Sequence, residues 1–196
     1  IESKVFGIGL ESYTVGSNDF YTAYASKNDK IITLDTGHFH PTESVADKVS
    51  SMLLFVPELM LHVSRPVRWD SDHVTIMNDD TLDLCKEIVR CDALDRVHIG
   101  LDYFDASINR IGAYVIGSRA TQKCICQALL EPLNTLRAYE SVDKGFQRLA
   151  LLEESLNIYL KNELDKIPTL KMLNTKLEVL EQRANSLKQN IDNFIK

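Results

Sequence analysis

Between Glu58 and Ser64 the chain reads Leu59-Met60-Leu61-His62-Val63, a short apolar run bounded by polar residues. A run of this length and composition is typical of a parallel strand that is buried on both faces. Two further runs have the same character, residues 31–34 before it and Val97–Leu101 after it. The sequence therefore predicts three buried strands.

A helical pattern follows each predicted strand. Pro41, which is tolerated in a first helical turn, opens the first pattern, and Asp79 and Asp80 are N-cap candidates for the second. The third covers residues 108–130, with a break expected near Gly117. Alternation of strand and helix predicts an α/β fold with a parallel sheet, either in a (β/α)₈ barrel or in an open doubly wound sheet.

The chain after Glu131 shows helical patterns and no strand pattern. Beyond Pro168, apolar residues follow one another in steps of three and four, which is an a/d heptad seam over about three repeats. The seam consists of Leu170, Leu173, Leu177, Leu180, Ala184, Leu187, Ile191 and Phe194. Two interpretations remain open: an amphipathic helix packed on its own domain, or a helix that binds a second copy or another partner.

Composition limits the classes of partner. The formal net charge is −6 and no basic face is visible, so we expect no nucleic-acid partner. The longest apolar stretch, residues 52–61, contains Pro57 and Glu58 and is shorter than the roughly 20 residues of a membrane span. We therefore expect no membrane segment, and without a secretory leader we expect the cytoplasm.

The spacing of the cysteines and the first residue each support a prediction. The four cysteines, Cys85, Cys91, Cys124 and Cys126, do not form paired C-x-x-C motifs, so we expect reduced structural thiols. The chain begins at Ile1 without Met, which suggests a fragment or a processed product.

Each predicted strand ends in residues that can bind a divalent cation. Asp35 and His38 follow the first strand, His62 lies in the second, and Asp102 follows the third. Because parallel strands end at the same edge of a sheet, residues distant in sequence can meet there. A single aspartate or histidine would more often be a core group or a helix cap, but three successive strand ends favour a metal site.

A second group of candidate ligands follows the second strand. Asp70 and Asp72 lie on the same side of an extended segment, and His38 can add an imidazole to them. Ligation by several oxygens and one nitrogen, without a thiolate, favours Mn²⁺, Mg²⁺ or Co²⁺ over a structural zinc. Two groups of ligands indicate two ions.

Other polar residues allow two interpretations each. His40 and His73 either orient the ligands or are hydrogen-bonded structural groups. Arg65 and Arg68 either bind a substrate or an anion, or form ion pairs beneath the site. His98 is expected to pack within its strand.

Several long strings resemble L-rhamnose isomerase in order and spacing. They include Leu34-Asp35-Thr36-Gly37-His38-Phe39-His40-Pro41-Thr42-Glu43, Val67-Arg68-Trp69-Asp70-Ser71-Asp72-His73 and Arg96-Val97-His98-Ile99-Gly100-Leu101-Asp102. The resemblance covers residues 1–154 and implies the last half of a (β/α)₈ (TIM) barrel, with three full strands and the end of a fourth at Glu2. Residues 155–196 form a helical tail that does not resemble the family.

The resemblance also implies roles for individual residues. One ion would be held by Glu2, Asp35, His62 and Asp102, and a second ion by His38, Asp70 and Asp72. Lys4 would lie near O1 of the sugar, so that Lys4 and Asp70 are the catalytic candidates. The expected ion is Mn²⁺, with Mg²⁺, Co²⁺ or Zn²⁺ as alternatives, and the family is a homo-oligomer, a tetramer.

The family interconverts L-rhamnose and L-rhamnulose by shifting a hydride between C1 and C2 of the open-chain sugar. Half a barrel leaves strand edges open, so we expect little or no activity from this chain alone. Two alternatives remain: a related metal-dependent sugar isomerase or epimerase with another substrate, and an inactive fragment that serves as an assembly module through its coiled-coil tail.

Overall fold

The computed structural model describes residues 1–3, 16–40, 42–65 and 73–164, together with Gln182 and Ser186. The described strands are β1 (Ile32–Asp35), β2 (Leu59–Val63) and β3 (Val97–Leu101). The described helices are α1 (Asn18–Asn28), α2 (Ala46–Met52), α3 (Asp79–Arg90), α4 (Arg110–Leu129), α5 (Leu133–Ser141) and α6 (Gly145–Leu164). The chain divides into two compact units, Ile1–Leu129 and Leu130–Lys196.

The first unit contains a parallel sheet with the strand order β1-β2-β3. Asp35 is the register partner of His62, and His62 is the register partner of Gly100. Glu2 forms a further parallel bridge to Thr33, on the side of β1 away from β2. The three predicted strands are confirmed, and Glu2 adds the end of another parallel segment to the sheet.

The core lies between the sheet and the helices that follow its strands. All four residues of β1 are buried, as expected of a strand covered on both faces, whereas Ile31 of the predicted run is 45% exposed. The buried cluster includes Ile32, Leu34, Leu59, Leu61 and Val63 of the strands, Val49 and Met52 of α2, and Leu84 and Ile88 of α3. In β2 burial alternates, which leaves His62 half-buried at the end of the strand.

The prediction that His98 packs within its strand is wrong. β3 is buried at Val97 alone, and the His98 side chain is 52% exposed. Its Nε2 lies 2.7 Å from Oε2 of Glu58, within hydrogen-bond distance at the surface. The local sequence resembled a buried strand, but among the described residues β3 has a neighbouring strand on one side only.

Two helix starts differ from the sequence predictions, since α2 begins at Ala46 and not at the first turn that Pro41 was expected to open. The N-cap of α3 is Asn78 rather than Asp79 or Asp80, because the Asn78 side chain accepts hydrogen bonds from the backbone N–H of Thr81 at 3.1 Å and from its hydroxyl at 2.7 Å. The two aspartates lie in the first turn, where the helix dipole favours negative charge. The sequence did not predict helix α1. This helix buries Ala25 alone, so its sequence shows little apolar periodicity.

The predicted break of α4 near Gly117 is also wrong, since the helix continues from Arg110 to Leu129. A Cβ at Gly117 would overlap the hydroxyl of Tyr103. That hydroxyl donates a hydrogen bond to the carbonyl of Ala113 at 2.9 Å. The glycine therefore permits a close contact within a continuous helix.

The second unit contains α5 and α6, and no strand follows Glu131 among the residues that the structure describes. The predicted division of the chain after residue 154 falls within α6 and stays a prediction. The heptad seam lies outside the described residues. None of the described helices is long and apolar enough to span a membrane. All four cysteines are free thiols, and Cys85 and Cys124 are buried together in a small cluster.

Candidate metal centre

Four side chains from four separate segments meet at the carboxyl end of the sheet. They are Glu2, Asp35, His62 and Asp102, and one ligand atom of each lies within 4.8 Å of all the others. Asp35 and His62 end up side by side through the register of β1 and β2, and the backbone N–H of Asp102 donates to the carbonyl of Val63 at 3.3 Å. The topology thus brings together residues that are up to 100 positions apart in sequence.

Nδ1 of His62 lies at the centre of this group. It is 3.0 Å from Oδ2 of Asp102, 3.5 Å from Oε2 of Glu2 and 3.7 Å from Oδ2 of Asp35. The Asp35 side chain is fully buried, whereas that of Asp102 is 56% exposed. The group is therefore closed on the side of β1 and open to solvent on the side of Asp102.

Two polar atoms of the group form no hydrogen bond with the described residues. Oδ1 of Asp35 accepts a hydrogen bond from the backbone N–H of Gly37 at 2.7 Å, but its buried Oδ2 has no hydrogen-bond partner among the residues that the structure describes. Within the same part of the chain, the buried Nδ1 of His62 also lacks a partner with hydrogen-bond geometry. Buried polar atoms are nearly always satisfied, and two such atoms in one cluster could serve as ligands to a cation. Three carboxylates and one imidazole fit a divalent cation.

The pKa shifts of the group indicate that positive charge is stabilised between its carboxylates. Burial raises the pKa of Asp35, and the nearby histidines offset this only in part. Burial would also raise the pKa of Glu2, but His38 and His62 outweigh it and the pKa is lowered. Contact with Asp35 raises the pKa of His62 against the effect of burial, with further contributions from Glu2 and Asp102. The three carboxylates thus stabilise a charged imidazole between them.

His38 lies beside this group rather than apart from it. Its Nδ1 is 3.0 Å from Oε1 of Glu2 and 3.0 Å from the carbonyl oxygen of Ser3, and its Nε2 is 3.9 Å from Oδ2 of Asp35. The side chain is buried, with 6% exposed. Lys4, Asp70 and Asp72 lie outside the described residues, so the second predicted ligand group of His38, Asp70 and Asp72 stays a prediction.

The other candidates make local contacts. Nδ1 of His40 lies 2.6 Å from the hydroxyl of Thr42, at an exposed turn. Nε of Arg65 donates to the carbonyl of Val74 at 3.2 Å, and its backbone N–H donates to the carbonyl of His73. These contacts hold the segment that follows β2, and they favour a structural role for Arg65. Arg68 lies outside the described residues.

Thr36, for which no role was predicted, connects the ends of β1 and β2. Its hydroxyl lies 2.9 Å from the carbonyl oxygen of Ser64 and accepts a hydrogen bond from the backbone N–H of Ser64 at 2.9 Å. Its own backbone N–H donates to the carbonyl of His62 at 3.0 Å. The available signal was a hydroxyl residue directly after a strand-end ligand, but its partner is visible only from the strand register.

Comparison with known proteins gives consistent matches. A sequence model of the family described as L-rhamnose isomerase (RhaA) matches residues 1–188. A protein of Bacteroides thetaiotaomicron named L-rhamnose isomerase is 79% identical over 154 residues, which is 79% of this chain and 37% of that protein. A protein of the same name from Escherichia coli O127:H6 is 60% identical over 158 residues, which is 81% of this chain and 38% of that protein. The chain therefore spans less than two fifths of the length of these relatives.

Proposed function

The chain belongs to the L-rhamnose isomerase family, and from this membership we propose that it carries part of the active site of a metal-dependent aldose-ketose isomerase. The proposed reaction is the interconversion of L-rhamnose and L-rhamnulose by a hydride shift between C1 and C2. The observation that carries the proposal is the convergence of Glu2, Asp35, His62 and Asp102 on one point.

The proposed architecture is the last half of a (β/α)₈ barrel. It is supported by three parallel strands whose spatial order follows their sequence order, with a helix after each. The bridge between Glu2 and Thr33 supports the end of a fourth strand next to β1. In such a barrel the active site lies at the carboxyl ends of the strands, which is where the four side chains meet.

We propose that Glu2, Asp35, His62 and Asp102 hold a divalent ion, with Mn²⁺ as the expected ion and Mg²⁺, Co²⁺ or Zn²⁺ as alternatives. When bound, a divalent cation supplies positive charge to the sugar oxygens on which negative charge builds during the shift. His62 would lose the proton that the carboxylates stabilise and become a neutral ligand. Gly37 holds Asp35 through Oδ1 and leaves Oδ2 toward the group.

The remaining site residues are proposed from the resemblance. His38, Asp70 and Asp72 form the second ligand group, Lys4 lies near O1 of the sugar, and Lys4 and Asp70 are the catalytic candidates. The position of His38 beside Glu2 and Asp35 supports a pair of adjacent sites. A homo-oligomer, a tetramer in the family, and a cytoplasmic location belong to the same proposal.

A chimera tests the proposed activity. Residues 1–154 of this chain would replace the matching segment of the B. thetaiotaomicron relative, which is 79% identical over that length. We expect the chimera to convert L-rhamnose with Mn²⁺ present, and Asp35→Asn to abolish turnover. Glu58→Gln, which changes an exposed acid paired with His98, is the matched control and should keep activity.

The same assay separates the alternatives. A folded chimera that binds Mn²⁺ and converts another aldose but not L-rhamnose would favour the related isomerase or epimerase. The 196-residue chain alone should bind Mn²⁺ but show little or no turnover. Turnover by the isolated chain comparable to that of the relative would contradict the expectation that half a barrel is inactive.

The heptad seam supports a second candidate, an inactive fragment that acts as an assembly module. Gln182 and Ser186 are helical and exposed, and neither belongs to the seam. An outward position of both residues is what a seam-forming helix requires. Sedimentation of the chain with and without residues 168–196 tests this candidate, and an unchanged oligomeric mass would remove it.

A further inference from the structure

The end of β1 is joined to the end of β2 by a side chain in addition to the backbone. The register of the two strands ends with the pair Asp35 and His62. Directly after this pair, the backbone N–H of Thr36 donates to the carbonyl of His62 at 3.0 Å, and the Thr36 hydroxyl lies 3.3 Å from the same carbonyl oxygen. Thr36 thus contacts the backbone of one ligand and is the neighbour of the other.

The hydroxyl of Thr36 also serves both backbone groups of Ser64. It donates to the Ser64 carbonyl at 2.9 Å and accepts from the Ser64 N–H at 2.9 Å, while the two hydroxyl oxygens are 3.3 Å apart. Ser64 is 3% exposed, so water does not readily replace these bonds. A hydroxyl has one donor and two acceptor sites, and this arrangement uses it in both directions.

We propose that Thr36 is a positioning residue whose hydroxyl fixes the separation of Asp35 and His62 in the candidate metal centre. The inference rests on the proposed function, because it needs that centre to bind a cation. Oδ2 of Asp35 and Nδ1 of His62 are 3.7 Å apart, and neither buried atom has a hydrogen-bond partner among the described residues. At this separation the two side chains are beyond hydrogen-bond distance, so their spacing depends on the strand ladder and on the Thr36 contacts that continue it.

In this arrangement, Asp35 and His62 would bind the ion, and other residues would hold Asp35 and His62 in position. A ligand geometry must be kept within roughly 0.5 Å by groups that do not themselves bind the ion. Gly37 holds one oxygen of Asp35, and Thr36 holds the strand end that carries His62. Without the Thr36 hydroxyl, the N–H and the carbonyl of Ser64 lose their partner, and the end of β2 can shift away from Asp35.

Mn²⁺ titration calorimetry of the full 196-residue chain tests the proposal with three variants. Thr36→Val keeps the shape of the side chain but removes the hydroxyl, and should raise the Kd for Mn²⁺ about 10- to 100-fold, as losses of groups behind metal ligands do. Thr36→Ser keeps the hydroxyl and should stay within about threefold of the wild type, less than 1 kcal/mol. Thr121→Val is the matched control.

The control has the same chemistry far from the centre. Thr121 is buried in α4, and its hydroxyl donates to the carbonyl of Gly117 at 3.0 Å. Its replacement by valine should lower the thermal stability of the metal-free protein but leave the Kd for Mn²⁺ unchanged. Thermal unfolding with EDTA therefore accompanies each titration and separates a loss of stability from a loss of positioning.

Each outcome decides between the two claims. If the wild type binds Mn²⁺ and Thr36→Val binds it equally well, the positioning role of Thr36 is overturned. Equal weakening in Thr36→Val and Thr121→Val, in step with their stabilities, also overturns it. Wild type that binds no Mn²⁺ overturns the proposed metal centre itself. If Thr36→Val does not fold, Thr36→Cys, whose thiol is a weak hydrogen-bonding group, should bind Mn²⁺ less tightly than Thr36→Ser.

Discussion

Replacement of Asp35 by asparagine is the sharpest test of the metal centre, because it should change affinity and stability in opposite directions. Asparagine has nearly the same shape, so the buried site stays filled, but the negative charge is lost. The Asp35 side chain is fully buried, and burial raises its pKa, which means that the folded protein disfavours the ionised carboxyl. The metal-free variant should therefore be at least as stable as the wild type.

The loss of affinity can be worked from the spacing of the group. The ligand atoms lie within 4.8 Å of one another, so a bound cation interacts with Asp35 at short range. Two unit charges about 4 Å apart, at an effective dielectric constant of about 20, interact by about 4 kcal/mol, and a divalent cation bound directly to a carboxylate interacts more strongly than this. An interaction of about 4 kcal/mol corresponds to roughly a 10³-fold change in Kd, so we expect the affinity for Mn²⁺ to fall at least by about that factor.

Calorimetric titration with Mn²⁺ and thermal unfolding in EDTA measure the two effects on the same preparation. Glu58→Gln removes an exposed acid that lies directly before β2 and is paired with His98, and it should leave both quantities unchanged. Wild-type affinity for Mn²⁺ in Asp35→Asn would refute the assignment of this group as the metal centre. A large loss of metal-free stability would refute the argument that the buried charge is unfavourable without a cation.

Three further predictions concern stability. Gly117→Ala should destabilise the protein by about 1–3 kcal/mol in chemical denaturation, because its Cβ would overlap the hydroxyl of Tyr103. Gly112→Ala in the same helix is the control: its Cβ meets only ordinary contacts, and the change should be neutral or slightly stabilising. Asn78→Ala should cost about 1 kcal/mol through loss of the cap of α3, measured as a lower Tm. Mn²⁺ at about 100 times the wild-type Kd should add about 2.7 kcal/mol to the free energy of unfolding, and chelation should remove this increase. An equal increase in Asp35→Asn at the same Mn²⁺ concentration would contradict the assignment of the metal centre.

Much of the fold could be predicted because its signals are local. The three strands are short apolar runs, and the structure shifts only the first, by one residue, to Ile32–Asp35. Helix α1 gave no such signal, because it buries Ala25 alone and depends on its caps, where the Ser17 hydroxyl accepts from the N–H of Phe20. The break expected at Gly117 was wrong because glycine in a sequence does not distinguish a helix end from a close contact.

The candidate ligands were also visible in the sequence, since Asp35, His62 and Asp102 lie at or just after strand ends. Their residue types and positions are local properties, and the parallel arrangement of strands brings them to one edge. What the sequence could not provide was the separation of the atoms or which hydrogen bonds leave Oδ2 of Asp35 and Nδ1 of His62 without partners. Those facts depend on the register between β1 and β2.

Local patterns therefore specify which segments become strands and which side chains lie at their ends, because an apolar run and the polar residue that follows it span only a few neighbouring positions. Contacts between distant segments specify that Thr36 bonds Ser64, that Tyr103 lies against Gly117, and that His98 is exposed. Each of these contacts joins residues 14 to 40 positions apart in sequence, and the exposure of His98 depends on β3 being an edge strand of the described sheet. Such distances are set by packing, and a linear pattern of residue types does not contain them.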